Sequence, residues 1–183
     1  VALSIVLVFG AAVAGQALLS ILRLPLGFNA ERVVTIQVRP PTDAGMSTTG
    51  FYRQAMEVIA RHPEVVSVGA GSSMPLDNRG QESDVDRLVG IDRVLPGFLE
   101  TIGVTLLRGR LPTRDDLRAG LSVCVVSESA ARVLYPGLDP LGRRLRPVRG
   151  TELTVIGVVA DVRRTLDGTS QPSVFGLPVD DPG

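Results

Sequence analysis

Val1 to Leu22 form an unbroken run without a charged side chain, and Arg23 is the first charge. A helix of that length rises about 33 Å, enough to cross a hydrocarbon core of about 30 Å. Twelve of these 22 residues are valine, leucine, isoleucine or phenylalanine. Each favours insertion by roughly 0.3–0.6 kcal/mol near the helix centre, a sum that Ser4, Gln16 and Ser20 do not cancel. The reading is a transmembrane helix over residues 1–23. A secretory signal peptide fits less well, because its apolar core is usually about 7–15 residues long and follows a basic segment. A buried core helix would show a polar stripe. Arg23 alone favours a cytoplasmic flank only weakly, since the charge rule compares both sides of the span. Orientation stays open on physics. The first residue is valine, and further chain is expected before it.

Residues 24–183 suffice for one ordinary domain or two small subdomains. The 19 basic and 19 acidic residues balance, which argues against a nucleic-acid partner. Every basic residue is arginine. Without lysine, a Walker A loop, a Schiff base and a lysine general base are excluded from this stretch. A single cysteine, Cys124, allows no intrachain disulfide and so does not identify the compartment.

Beyond the turn-rich Leu24–Asn29, residues 32–39 (RVVTIQVR) have strand composition, with Val34, Ile36 and Val38 on one face. Ser47, Thr48 and Thr49 offer N-caps for an amphipathic helix over 51–61, which Pro63 stops. Residues 64–73 (EVVSVGAGSS) return as a strand. Strand, helix and strand in this order predict a βαβ-like unit, and a split arrangement with an antiparallel partner fits nearly as well. Residues 74–90 are expected to be loop with a short edge strand. A helical turn over 96–102, a strand over 104–107 and a capped turn at Thr113–Asp116 follow. Leu121–Ser127 is the clearest buried strand, and 128–135 a short helix closed by Pro136-Gly137. Leu145, Leu153–Val162 and Val174–Leu177 complete a β-rich second half.

The chemical candidates have structural readings that account for them better. His62, the only histidine, stands at a helix end where a polar cap is ordinary. Cys124 lies in the apolar run VCVV and is expected to be buried and unreactive. Gly69-Ala70-Gly71-Ser72-Ser73 lacks the GxxxxGK[ST] spacing and reads as a tight strand-to-loop passage rather than a phosphate loop. Glu82, Asp84 and Asp86 alternate as on a charged edge strand, without the glycine and distant glutamate of a calcium loop. Gly10 with Ala14, and Ala11 with Gly15, are small pairs that allow close helix approach in lipid. No catalytic, metal or cofactor-binding residue is assigned, no cofactor is expected, and the chain is not read as an enzyme.

Four stretches, in order, resemble the periplasmic core domain of MacB-like, FtsX-type ABC transporter permeases. The first is Phe51-Tyr52-Arg53-Gln54 through Pro63-Glu64-Val65 to Ser72-Ser73-Met74-Pro75-Leu76. The second is Pro96-Gly97-Phe98-Leu99-Glu100-Thr101-Ile102-Gly103-Val104 with Leu107-Arg108-Gly109-Arg110. The third is Val125-Val126-Ser127-Glu128 with Ala131, Pro136-Gly137 and Asp139-Pro140-Leu141-Gly142-Arg143-Arg144. The fourth is Val155-Ile156-Gly157-Val158-Val159 with Asp161-Val162-Arg163. The helix before them resembles the one leading into this domain in duplicated orphan permeases. The stretch between Leu76 and Pro96 is shorter than the family pattern.

The resemblance implies an α+β fold: a transmembrane helix, then an extracytoplasmic α/β region over 24–183. That region would comprise a βαβ-containing porter-like subdomain and a β-rich inserted subdomain. It is expected to be C-terminally incomplete, lacking a return segment and three further membrane helices. The implied function is that of a permease subunit in the cell inner (plasma) membrane, its soluble region periplasmic, transmitting conformational change for efflux or export of an unidentified substrate. Implied partners are membrane lipid, a separate ATP-binding subunit, other permease helices and a periplasmic or outer-membrane protein, with no nucleic acid. The competing expectations are a single-pass anchored binding or sensor domain and, third, an anchored hydrolase.

Overall fold

The computed structural model describes residues 9–13, 15–16, 33–40, 47–74, 82–84, 89–147, 151–162 and 171–178. The strands are β1 (Glu82–Asp84), β2 (Val89–Arg93), β3 (Leu106–Gly109), β4 (Val123–Ser127), β5 (Arg144–Leu145), β6 (Leu153–Val159) and β7 (Ser173–Gly176). Between them run the helices α1 (Thr48–Ile59), α2 (Phe98–Thr101), α3 (Arg114–Arg118) and α4 (Glu128–Leu134). The strands form one mixed sheet in the order β1-β2-β7-β4-β6-β3, with β5 also on β6.

The run predicted as the clearest buried strand is the centre of this sheet. All five residues of β4 are buried, and the strand pairs antiparallel with β7 and parallel with β6. Side chains alternate across a strand, so β4 serves two cores. Cys124 and Val126 join Ala130, Leu145, Leu153 and Val174, against Leu134 and Tyr135 around α4. Val125 joins Phe98, Leu99, Ile102, Val159 and Phe175 around α2. Each fully buried valine stabilises the fold by about 1.5–3 kcal/mol relative to exposure.

β6 departs from strict alternation. Cys124 pairs with Val155 but Val125 pairs with Gly157, so Ile156 is an extra residue. The bulge puts Val155 and Val158 in the same core although they lie three apart. On the outer edge of β6, β3 pairs along Gly157–Val159 and β5 along Leu153–Thr154. Where the bulge meets β3, Gly109 stands opposite Gly157. Gly109 has φ +74°, and a Cβ there would strike the carbonyl of Ile156; one on Gly157 would strike the carbonyl of Arg110. Both glycines are required by close approach of backbones.

A βαβ unit exists, but in the second half: β4, crossover α4, parallel β6. In the first half the helix forms as predicted and the flanking strands do not. α1 begins after Ser47, whose side chain accepts the Gly50 N–H at 3.1 Å, and ends at Ile59. Residues 33–40 make no strand ladder among the described residues. Their tie to α1 is the Tyr52 hydroxyl, which donates to the Val38 carbonyl at 2.8 Å. Val34 is 85% and Ile36 71% exposed, so among the described residues no edge covers the predicted apolar face. Of residues 64–73, only Gly71 forms a bridge, with Val94.

Residues 9–13 and 15–16 are helical and exposed. Among the described residues no helix is long and apolar enough to cross a membrane. Most of the predicted span 1–23 lies outside the described residues.

Candidate functional site

Three polar assemblies fix the segments that carry the sequence motifs, and a cleft lies beside one of them. The first joins the LLRGR and DPLGRR stretches. Arg108 donates to Asp139 at 2.7 Å across the end of β3. Asp139 also accepts the Leu141 N–H, and its backbone carbonyl accepts from Arg143 Nε at 2.7 Å. The Leu141 N–H, with Arg108 and Arg143 nearby, holds the exposed Asp139 carboxyl below the usual carboxylate range.

The second assembly builds α3. Thr113 is its N-cap, and Asp116 closes a capping box by accepting the Thr113 N–H at 2.8 Å. Asp116 also accepts two hydrogen bonds from Arg110, at 2.5 and 2.8 Å. Such a fork fits a carboxylate geometrically. Arg110, and secondarily Thr113, hold the Asp116 carboxyl well below the usual range, although burial opposes them. The same contact raises Arg110.

The third assembly locks α4 to the sheet. Ser127 Oγ accepts the N–H of Ala130 at 3.2 Å and of Ser173 at 3.0 Å, linking β4, α4 and β7. Ser129 bonds to Asp161 beyond β6 through its N–H and its hydroxyl.

The residues singled out from sequence fall as follows. His62 follows the end of α1, exposed, its N–H bonded to the Ile59 carbonyl at 3.0 Å. Cys124 is fully buried, and burial pushes its thiol up to about 12. Residues 69–73 run beside the end of β2: Leu95 N–H donates to Ala70 and Ser72 N–H to Arg93, both at 2.8 Å. A Cβ on Gly69 would strike the Phe98 backbone and one on Gly71 the Phe98 ring. These glycines admit α2 rather than a phosphate. Glu82 and Asp84 lie on the outermost strand, and Asp86 lies outside the described residues. Gly10, Ala11 and Gly15 are helical, and Ala14 lies outside the described residues. Histidine and cysteine are not brought together, and among the described residues no cluster of His, Cys, Asp and Glu could hold a metal ion.

The cleft lies between α1 and α3 and has a volume of about 70 Å³. Leu95, Pro96, Met56 and Leu117 give its apolar part, and Arg53, Glu57, Arg114 and Arg118 its polar part. The capped turn is legible in the sequence and the cleft is not, because nothing local says that α1 faces α3. Among the described residues lining it, three are arginines and none is a serine, cysteine or histidine.

The family described as the MacB-like periplasmic core domain matches residues 1–181. The extracellular domain of the noncanonic ABC-type transporter YknZ from Gram-positive bacteria is similar with a TM-score of 0.50 at 17% identity, over 68% of this chain and 60% of that one. The periplasmic region of MacB from Actinobacillus actinomycetemcomitans gives a TM-score of 0.46 at 19% identity, over 68% and 54%. The likeness to the YknZ domain is one of fold, and this chain spans about three-fifths of that domain's length. No curated protein matches the chain.

Proposed function

The chain belongs to the MacB-like periplasmic core domain family, and from that premise we propose that it is the extracytoplasmic part of an ABC-type transporter permease subunit. In this reading the apolar run of residues 1–23 is the membrane helix entering the domain. The domain catalyses nothing itself. It passes conformational change between a cytoplasmic ATP-binding subunit and whatever is exported.

The observation that carries the reading is the extent of the family match, which includes the apolar run as well as the sheet. The site geometry supports it. Arg108–Asp139, Arg110–Asp116 and Ser129–Asp161 fasten loops and short helices to strand ends. Such fastenings suit a body that moves as a unit.

Affinity purification of the full-length protein from its native membrane, followed by mass spectrometry, tests the proposal. A separate ATP-binding subunit is expected to co-purify, and its ATPase rate is expected to depend on the permease. A complete reading frame with no hydrophobic segment beyond residue 23, together with no ATP-binding partner, would favour a single-pass binding or sensor protein and sink the proposal.

A further inference from the structure

Independently of the permease reading, we propose that the cleft between α1 and α3 docks an acidic segment of a partner protein, one presenting a carboxylate side chain between apolar neighbours. Arg53 reaches the cleft from α1, and Arg114 and Arg118 from α3. Among the described residues neither Arg53 nor Arg114 forms an ion pair. Arg118 has Asp115 at 3.2 Å, but that carboxylate is 89% exposed and competes weakly for it. Among the described residues lining the cleft, Glu57 is the one acidic group. Three guanidinium groups against Glu57 and the Asp115 carboxylate on Arg118 still leave the space positive, and guanidinium is matched to carboxylate by its fork of donors.

The apolar part decides the kind of anion. Leu95 and Pro96 are buried, and Met56 and Leu117 half-buried, so an inorganic ion would leave apolar wall uncovered. The groove is open to solvent, so the end of one acidic side chain can enter between the arginines while its neighbours lie on the apolar wall. A short peptide segment with alternating apolar and acidic side chains satisfies both parts.

The site is also held in place. α3 has only five residues, too few to stand unaided in water. Its capping box and the Arg110 fork on Asp116 anchor it to the loop after β3. That anchoring fixes where Arg114, Leu117 and Arg118 stand.

The test is a titration of the intact chain, followed by amide chemical shifts, with acetyl-Leu-Asp-Leu-amide and its neutral counterpart acetyl-Leu-Asn-Leu-amide at low ionic strength. The acidic peptide is expected to give saturable shifts at Met56, Leu95 and Leu117 that weaken with added salt. Arg53→Gln with Arg114→Gln is expected to lower the affinity about tenfold or more. Both side chains are exposed, and an unchanged spectrum elsewhere verifies folding. Thr113→Ala, which removes the cap of α3 and no charge, is expected to lower the affinity, whereas Arg146→Gln, outside the cleft, should not. Equal binding of the neutral peptide, full affinity in the double variant, or a response only to phosphatidylglycerol vesicles would each overturn the proposal; the last would assign the arginines to a lipid surface.

Discussion

Asp161 Oδ1 accepts two hydrogen bonds from Ser129, one from its backbone N–H at 2.8 Å and one from its hydroxyl at 2.6 Å. A residue just past the end of β6 thus binds the first turn of α4, 32 positions earlier in the chain. The carboxylate is 21% exposed and lies 3.7 Å from Arg132.

Removing that carboxylate should loosen α4 from the sheet. Asp161→Ala is expected to lower the unfolding free energy by about 1–3 kcal/mol, because the Ser129 N–H loses a charged acceptor. Asp161→Asn, which keeps one acceptor oxygen, should cost less. Urea midpoints at unchanged m-value would measure both. Equal midpoints for the alanine variant and the parent would count against the lock.

Two glycines separate conformational strain from crowding. Gly109 and Gly120 both have positive φ, +74° and +64°, but a Cβ at Gly120 meets open space. Gly120→Ala is expected to cost about 1–2 kcal/mol, the left-handed penalty alone. Gly109→Ala should cost clearly more, because its methyl group strikes the Ile156 carbonyl. Thermal or urea unfolding of the two variants side by side decides this.

The Arg110–Asp116 fork predicts an acid-dependent term in stability. Asp116 is held below its unfolded-state value. Its contribution is therefore fully present above the ordinary aspartate range, near pH 4, and is lost as pH falls below it. Arg110 is half exposed, which reduces the contribution to about 1 kcal/mol at neutral pH. Asp116→Asn should lower stability at pH 7 and flatten the acid limb of the stability profile. A limb unchanged in the variant would assign the acid sensitivity to other carboxylates.

Cys124 should be inert in the folded protein. Its thiol is fully buried and pushed up to about 12, so below that pH little of it is the reactive thiolate. Labelling with a thiol reagent at pH 8 is expected to proceed only as fast as the protein opens, and rapidly in denaturant. Fast labelling under native conditions would show that β4 is not the sealed centre of the sheet.

Much of this architecture is written locally. Thr113 and Asp116 announce their capping box by spacing, Ser47 its cap, and VCVV its burial. What escapes a local reading depends on distant partners. RVVTIQVR has strand composition, yet a strand exists only where another edge pairs with it, and Val34 and Ile36 remain exposed. Asp116 declares itself as a cap, but its second role requires Arg110 to arrive from β3. The cleft needs α1 and α3 to meet, which no periodicity encodes. The spacing of GAGSS already speaks against a phosphate loop, but that its glycines make room for Phe98 is visible only in the fold.

The shared edge of β6 also bears on how the chain acquires its shape. β4, α4, β5 and β6 follow one another in the chain, and β6 pairs with both β4 and β5. Such a block closes short loops only, and contacts of low sequence separation form early. β2 pairs locally with β1, but its seam with β7 has to wait: Gly90 pairs with Ser173, the widest separation in the sheet. Pulsed hydrogen exchange during refolding is expected to protect the amides shared by β4 and β6 before those shared by β2 and β7. The order of events would run outward from the bulged strand, with the β2–β7 seam closing the sheet.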